Sequence, residues 1–307
     1  MSPRLNKTHH GVIVPMVTPL TPDHALDEAA TCRVVDYMIE RGVHGVFALG
    51  TTGENASLPQ ALRERLVDVT VRHVAGRVPT YAGISSNCLH DALASATSFA
   101  RLGVDALVAH LPSYYELSPS EQHAYFTALA DRVPAPLILY NINVTTHMSI
   151  PLDVVEALSR HPTVVAIKDS DRDLPRIEAL IRMLGSRTDF SVLVGASVLA
   201  AQGLAAGADG CVPSQGNLIP GVCRAVYDAA CVGDAAALAA WQARMDAVTT
   251  LYARGRTMGQ GVARLKAMMG VQGLCGPTVM PPLLTVSAEE QADVEEAFRA
   301  WEREAAA

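Results

Sequence analysis

The chain has 307 residues, half of them hydrophobic but only 5% aromatic, and its formal net charge is −7. That length carries one large α/β domain or two ordinary ones, with a core that must be aliphatic and alanine-rich. The acidic balance, with no basic run or patch, argues against nucleic acid or an anionic membrane as partner. Six cysteines (Cys32, Cys88, Cys211, Cys223, Cys231, Cys275) form no CxxC pair and read as reduced, mostly buried thiols of a cytoplasmic protein. The polar start and the lack of any apolar run of about 18 residues imply neither secretion nor membrane insertion.

After a short polar tail, residues 12–17 read as a strand, closed by the turn-forming Thr-Pro-Leu-Thr-Pro-Asp of 18–23. Asp27 opens a helix to residue 41, with Val34, Val35, Met38 and Ile39 on one face. A strand over 44–49 runs into Gly50-Thr51-Thr52-Gly53-Glu54, and a helix over 59–75 follows, its proline near the N-terminus where a missing N–H costs least. Next come a strand over 79–84, a helix over 89–102, a strand over 105–110, and a helix over 118–132. In that last helix Ser118 is the N-cap and Glu121 its capping-box partner. A strand over 137–140 and a helix over 151–160 precede Thr-Val-Val-Ala-Ile-Lys-Asp-Ser of 163–170, a β-branched apolar run with Lys168 at or just past its end. A helix over 174–184, a strand over 190–194, a helix over 198–206, a strand over 209–212 and a helix over 220–231 complete the series.

Eight strand–helix units in succession imply right-handed crossovers, a parallel sheet and a closed (β/α)8 TIM barrel. An open doubly wound sheet is the alternative, but GxGxxG after the first strand is absent, as is a Walker-type phosphate loop. The barrel is assigned to residues 1–232. Residues 233–307 read as a helical extension packed on it, with helices over 235–254, 261–269 and 288–303 broken by Gly-Pro and Pro-Pro.

The chain holds three lysines, Lys7, Lys168 and Lys266, against 21 arginines. Arginine cannot lose its proton in a protein, whereas a desolvated lysine can become a neutral amine and attack a carbonyl. Two readings of Lys168 follow: a Schiff-base nucleophile, or a structural ion pair with Asp169 or another acid. In a barrel the C-terminal strand ends share one face, where chemistry occurs. That face collects Gly50-Thr51-Thr52-Gly53-Glu54, His110 with Tyr114 and Tyr115, Tyr140-Asn141, Lys168-Asp169-Ser170, Gly195-Ala196-Ser197 and Pro213-Ser214-Gln215. Hydroxyls, small residues and one amine dominate, and no His pair or carboxylate set has metal-binding spacing. The set suits imine chemistry: Tyr140 and Thr51 offer proton-shuttling hydroxyls, and the amides of the Gly-Thr-Thr-Gly turn offer a carboxylate cradle. Taken singly, that turn is also an ordinary tight turn, Glu54 a helix cap, His110 and His147 structural, and Trp241 with Met268 and Met269 helix packing.

In order and spacing, Gly50-Thr51-Thr52-Gly53-Glu54, Tyr140-Asn141 and Ile167-Lys168-Asp169-Ser170 resemble the dihydrodipicolinate synthase/N-acetylneuraminate lyase family over essentially the whole chain. The resemblance implies a (β/α)8 barrel and a class I lyase, without metal or cofactor, in which Lys168 forms a Schiff base with pyruvate or another 2-keto acid. It further implies Tyr140 as central proton shuttle, Thr51 as relay, Thr52 and Gly50 amides as the carboxylate site, and Val212 as a residue whose carbonyl faces the substrate. Tyr114, or Tyr115 with the loop shifted by one, matches a tyrosine that reaches a neighbouring subunit's site, so a homo-oligomer, dimer or tetramer, is implied. Three departures bear on the substrate. Asn143 stands where the family has proline, Thr145 where dihydrodipicolinate synthases have an arginine, and Ala196-Ser197 where sialate lyases have acids. These point away from both of those substrates and toward aldol cleavage or condensation of another 2-keto acid. A 2-keto-3-deoxy-acid dehydratase or deaminase using the same lysine is the alternative, and a non-catalytic keto-acid-binding barrel a remote one.

Overall fold

The computed structural model describes residues 7–306. Eight parallel strands pair in chain order and close on themselves: β1 (Gly11–Pro15), β2 (Gly45–Ala48), β3 (Thr80–Gly83), β4 (Ala106–His110), β5 (Leu137–Asn141), β6 (Val164–Asp169), β7 (Ser191–Val194) and β8 (Gly210–Cys211). Between them lie α1 (Glu28–Glu40), α2 (Gln60–Val74), α3 (Leu89–Leu102), α4 (Pro119–Ala130), the one-turn α5 (Asn143–Thr146), α6 (Leu152–Leu158), α7 (Leu174–Leu184) and α8 (Ala200–Ala206). α9 (Pro220–Val232) closes the barrel, and α10 (Ala235–Ala253), α11 (Met258–Val271) and α12 (Ala288–Ala306) form the extension. The fold is a (β/α)8 TIM barrel. The expected capping box of Ser118 and Glu121 opens α4, and Asp27 caps α1 by accepting from the Ala30 amide.

Each strand divides its side chains between two apolar layers. Ile13, Phe47, Tyr81, Val108, Ile138, Ala166, Leu193 and Val212 fill the barrel interior, while the opposite faces pack under the helices in a larger aliphatic layer. Small residues let helices sit close to strands, which explains a core so poor in aromatics.

Three sequence readings need correction. The described part of the N-terminal tail is not a free polar arm. The Lys7 ammonium pairs with buried Asp209 at 2.9 Å and donates to the Gly185 and Phe190 carbonyls, and His9 reaches Tyr81 Oη at 3.2 Å. Residues 1–6 lie outside the described residues. Three of the six free cysteines are buried (Cys211, Cys223, Cys275), Cys32 and Cys231 are half-buried, and Cys88 is exposed. α11 is longer than the apolar pattern indicated, because Thr257 and Gln260 make a capping box ahead of it. No helix among the described residues is long and apolar enough to cross a membrane.

Candidate active site

Lys168 lies within β6 rather than past its end, and a register irregularity decides where it points. Leu137 pairs with Val164 but Ile138 pairs with Ala166, so Val165 is an extra residue in the ladder. Val164 faces the helix layer, Val165 and Ala166 both touch the barrel interior, and alternation then resumes. A straight strand starting from Val164 would turn position 168 outward; with the bulge, Lys168 points in and Asp169 points out. Tyr140 and Lys168 are register partners on adjacent strands, and so are Asn141 and Asp169.

That division separates the lysine from its neighbouring acid. Asp169 accepts from Arg176 Nε at 2.8 Å, from Asn141 Nδ2 at 3.0 Å and from the Asp171 amide at 3.0 Å. Burial pushes its carboxyl above the usual range, against the pull of Arg176. Asn141 completes the outer network by accepting from the Ile150 amide. Lys168, only 5% exposed, has no hydrogen bond or ion pair among the described residues. Its Nζ sits 3.9 Å from the centroid of the Tyr140 ring and 5.2 Å from that of Phe47. The ion-pair reading of Lys168 is therefore overturned. The other two lysines do carry that role, each bound to a buried carboxylate.

Gly195 at the end of β7 makes room for this arrangement. A Cβ there would lie 2.1 Å from Ser170 Oγ, 3.0 Å from the Asp169 carbonyl and 3.1 Å from Lys168 Cε. Across the barrel, β2 is followed at once by Leu49, whose φ of 61° is costly for a non-glycine residue. The chain then enters the turn at 50–54, in which Gly53 donates to the Gly50 carbonyl and Glu54 to the Thr51 carbonyl. The amides of Thr51 and Thr52 donate to nothing among the described residues. Thr51 Oγ1 stands 3.3 Å from Tyr140 Oη. Glu54 stands at the N-terminal end of a short 3-10 turn (Asn55–Ser57), but its side chain caps no amide there: the carboxylate is fully buried, bound to Lys266 Nζ at 2.8 Å and to the Met280 amide at 2.6 Å, which ties the turn to the extension.

Two connected recesses open at this end of the barrel. One, of about 390 Å³, is lined by Lys168, Tyr140, Thr51, Thr52, Val212 and Ser197 among others. Its neighbour, of about 290 Å³, shares Tyr140 and Thr51 and adds Gly50, Thr145 and His110. Eight of the ten candidate residues thus gather around Tyr140. Asn143 is exposed at the start of α5 and lines neither recess. Tyr114 stands on the rim, packed edge-on against Tyr115, with 78% and 72% of the two residues exposed.

Sequence reasoning placed His110 on this face but read it as structural, and it missed several other wall residues. His110 at the end of β4 packs edge-on to Tyr140, and its Nδ1 lies 2.7 Å from the Leu111 carbonyl. Burial holds its pKa below the usual value, which favours the neutral ring with Nδ1 as donor. The extension, read as mere packing, supplies a wall of the larger recess through Thr249, Tyr252, Arg256 and Val262. Arg172, in the loop after β6, completes the rim. Proximity to Lys168 in sequence could have flagged Arg172; nothing local marks Arg256.

Comparison with known proteins agrees with this fold. The dihydrodipicolinate synthetase family model matches residues 8–301. A 4-hydroxy-tetrahydrodipicolinate synthase of Phenylobacterium zucineum is 33% identical over 290 residues, 94% of this chain and 96% of that one. A DapA-like lyase of Thermofilum pendens is 33% identical over 301 residues, covering 96% and 97%. The crystal structure of YagE from E. coli K12, a member of the dihydrodipicolinic acid synthase family solved in complex with pyruvate, superposes with a TM-score of 0.89 at 25% identity over 95% of this chain and 98% of that one. The chain belongs to the dihydrodipicolinate synthetase family, a family of lyases.

Proposed function

We propose that this protein is a Schiff-base lyase that cleaves or condenses 2-keto acids through Lys168. The observation that carries the reading is an inward lysine without any carboxylate partner, set against Tyr140 and within one barrel mouth of two unengaged amides. The amine attacks the keto carbon, and the carbinolamine loses water to give an imine. A proton must reach the departing hydroxyl, and the Tyr140–Thr51 hydroxyl pair at 3.3 Å is the relay. The Thr51 and Thr52 amides hold the carboxylate next to the keto group. The protonated imine is the electron sink: as the C4 hydroxyl gives its proton to the same hydroxyl relay, the C3–C4 bond breaks, its electrons pass into the imine to leave an enamine, and the aldehyde departs; in the reverse direction the enamine attacks an aldehyde, whose oxygen takes a proton back. The Tyr114–Tyr115 pair supports a homo-oligomer, dimer or tetramer, in which Tyr114 of one protomer reaches the partner's site. No second reading is favoured by a feature of the site.

Incubation with pyruvate and borohydride is expected to add the mass of a reduced pyruvyl group to the peptide carrying Lys168, and Lys168→Ala to abolish it. Absence of an adduct with pyruvate and with a panel of longer 2-keto acids would sink the reading.

A further inference from the structure

The turn at 50–54 is held in a shape that its own residues do not favour. Leu49 and Glu54, which bracket it, have φ of 61° and 59°, left-handed values that non-glycine residues keep only where the surroundings enforce them. The enforcement comes from distant parts of the chain. A Cβ at Gly83 would lie 2.0 Å from the Leu49 carbonyl oxygen, so β3 admits this path only because it ends on glycine. Thr18, just after β1, donates through Oγ1 to the Gly53 carbonyl at 2.7 Å. Lys266 Nζ, from α11, donates to the Thr18 carbonyl at 2.7 Å and to Glu54 Oε1 at 2.8 Å, while Glu54 Oε2 accepts from the Met280 amide at 2.6 Å. Both side chains of the ion pair are wholly buried.

A desolvated ion pair is a poor source of stability, since apolar side chains of the same volume often serve a core as well or better. What this pair adds is direction. The two oxygens of Glu54 have different partners and the ammonium reaches two segments, so the turn is fixed at once to α11, to the segment at Met280 and to the chain after β1. The residues so fixed include Gly50, Thr51 and Glu54, which line the smaller recess, whereas Lys266 lines neither recess. Resting on the reading that the Thr51 and Thr52 amides hold the carboxylate of a keto acid bound through Lys168, we propose that Lys266 is a positioning residue for that cradle. Through Glu54 and Thr18 it sets the direction of the two amides, without meeting the substrate itself. The extension then takes part in recognition from behind the turn as well as through the wall it lends to the larger recess.

The test compares borohydride trapping on the full chain of pyruvate and of acetone, which keeps the methyl ketone and lacks the carboxylate. The readout is the ratio of the two trapping rates. In Lys266→Met the ratio is expected to fall at least about ten-fold, the loss of one charge-assisted hydrogen bond, with acetone trapped within about two-fold of the wild-type rate. Lys266→Met combined with Glu54→Gln leaves no bare charge in the core, so it is expected to recover the melting temperature but not the ratio. The double variant is read in place of the single one if the latter fails to fold. A wild-type ratio in either folded variant overturns the proposal, and so does an equal loss for both ketones, which is what a purely structural role would give. Hydrogen exchange keeps the test independent of the Schiff base: pyruvate should slow exchange of the Thr51 and Thr52 amides in the wild type and not in the variants. That pattern with no adduct on Lys168 sustains the positioning role and removes the Schiff base. No slowing in the wild type removes the cradle, and the positioning role with it.

Discussion

At the scale of single residues, the three lysines carry the lesson. A sequence rich in arginine keeps lysine only where the ammonium is buried, and two of the three are neutralised by Asp209 and Glu54. Burying such a pair is expensive, and removing one partner leaves a bare charge worth roughly 3–5 kcal/mol. Lys168 is the exception in having no carboxylate partner among the described residues, which suits a nucleophile and not a strut. Its position depends on Gly195, whose hydrogen is all that separates it from Ser170 and the Lys168 side chain. Gly195→Ala is expected to slow pyruvate trapping by about 100-fold, since displacement of a reacting group by about 1 Å carries that penalty. Circular dichroism and the melting temperature should show the barrel intact. Trapping at the wild-type rate would mean that the close contact does not position Lys168.

At the scale of elements, strand ends set the site and one strand junction sets the response to acid. His44, just before β2, accepts from the Val12 amide through Nδ1 at 3.0 Å and packs on Tyr227. Burial, with help from Arg224 and His10, lowers its pKa to about 4. A histidine held below its unfolded value binds its proton more weakly when folded. Its contribution to stability is therefore fully present above pH 6.5 and is lost as the pH falls toward 4. Partial exposure keeps the loss below the roughly 3 kcal/mol that a shift of this size carries unscreened. Urea unfolding at pH 7 and pH 5 is expected to show a clear loss for the wild type and a smaller one for His44→Asn, which keeps an acceptor but cannot titrate. Equal losses would assign the acid sensitivity elsewhere, with His9 and His110, also lowered by burial, the next groups to examine.

At the scale of the whole molecule, the exposed tyrosine pair decides whether one chain holds a complete site. Tyr114 lines neither recess of its own chain, and two adjacent aromatics this exposed are unusual on a surface without a partner. Sedimentation at micromolar concentration is expected to give a dimer or tetramer. Mixing Lys168→Ala with Tyr114→Ala chains should restore part of the activity that each lacks alone, since mixed assemblies contain one site with both groups. A fully active monomer, or no complementation from subunits shown to exchange, would remove Tyr114 from the partner's site.

What could be read from the chain and what could not divides along the range of the interactions. The eight units, the capping box at Ser118 and the collection of Lys168, Tyr140, Thr51 and Thr52 at one mouth were legible, because apolar period, caps and chain order are local and a parallel barrel has one possible face for its strand ends. Family resemblance added roles to those residues but left the tail of the substrate open at Thr145. Long-range packing decided the rest. The bulge at Val165 that turns Lys168 inward exists only in the pairing of β5 with β6, and Glu54 found Lys266 across 212 positions of sequence. The wall that α10 and α11 lend to the recess has no local signature either, because residues from distant segments line one site only when the barrel closes and the extension docks on its rim.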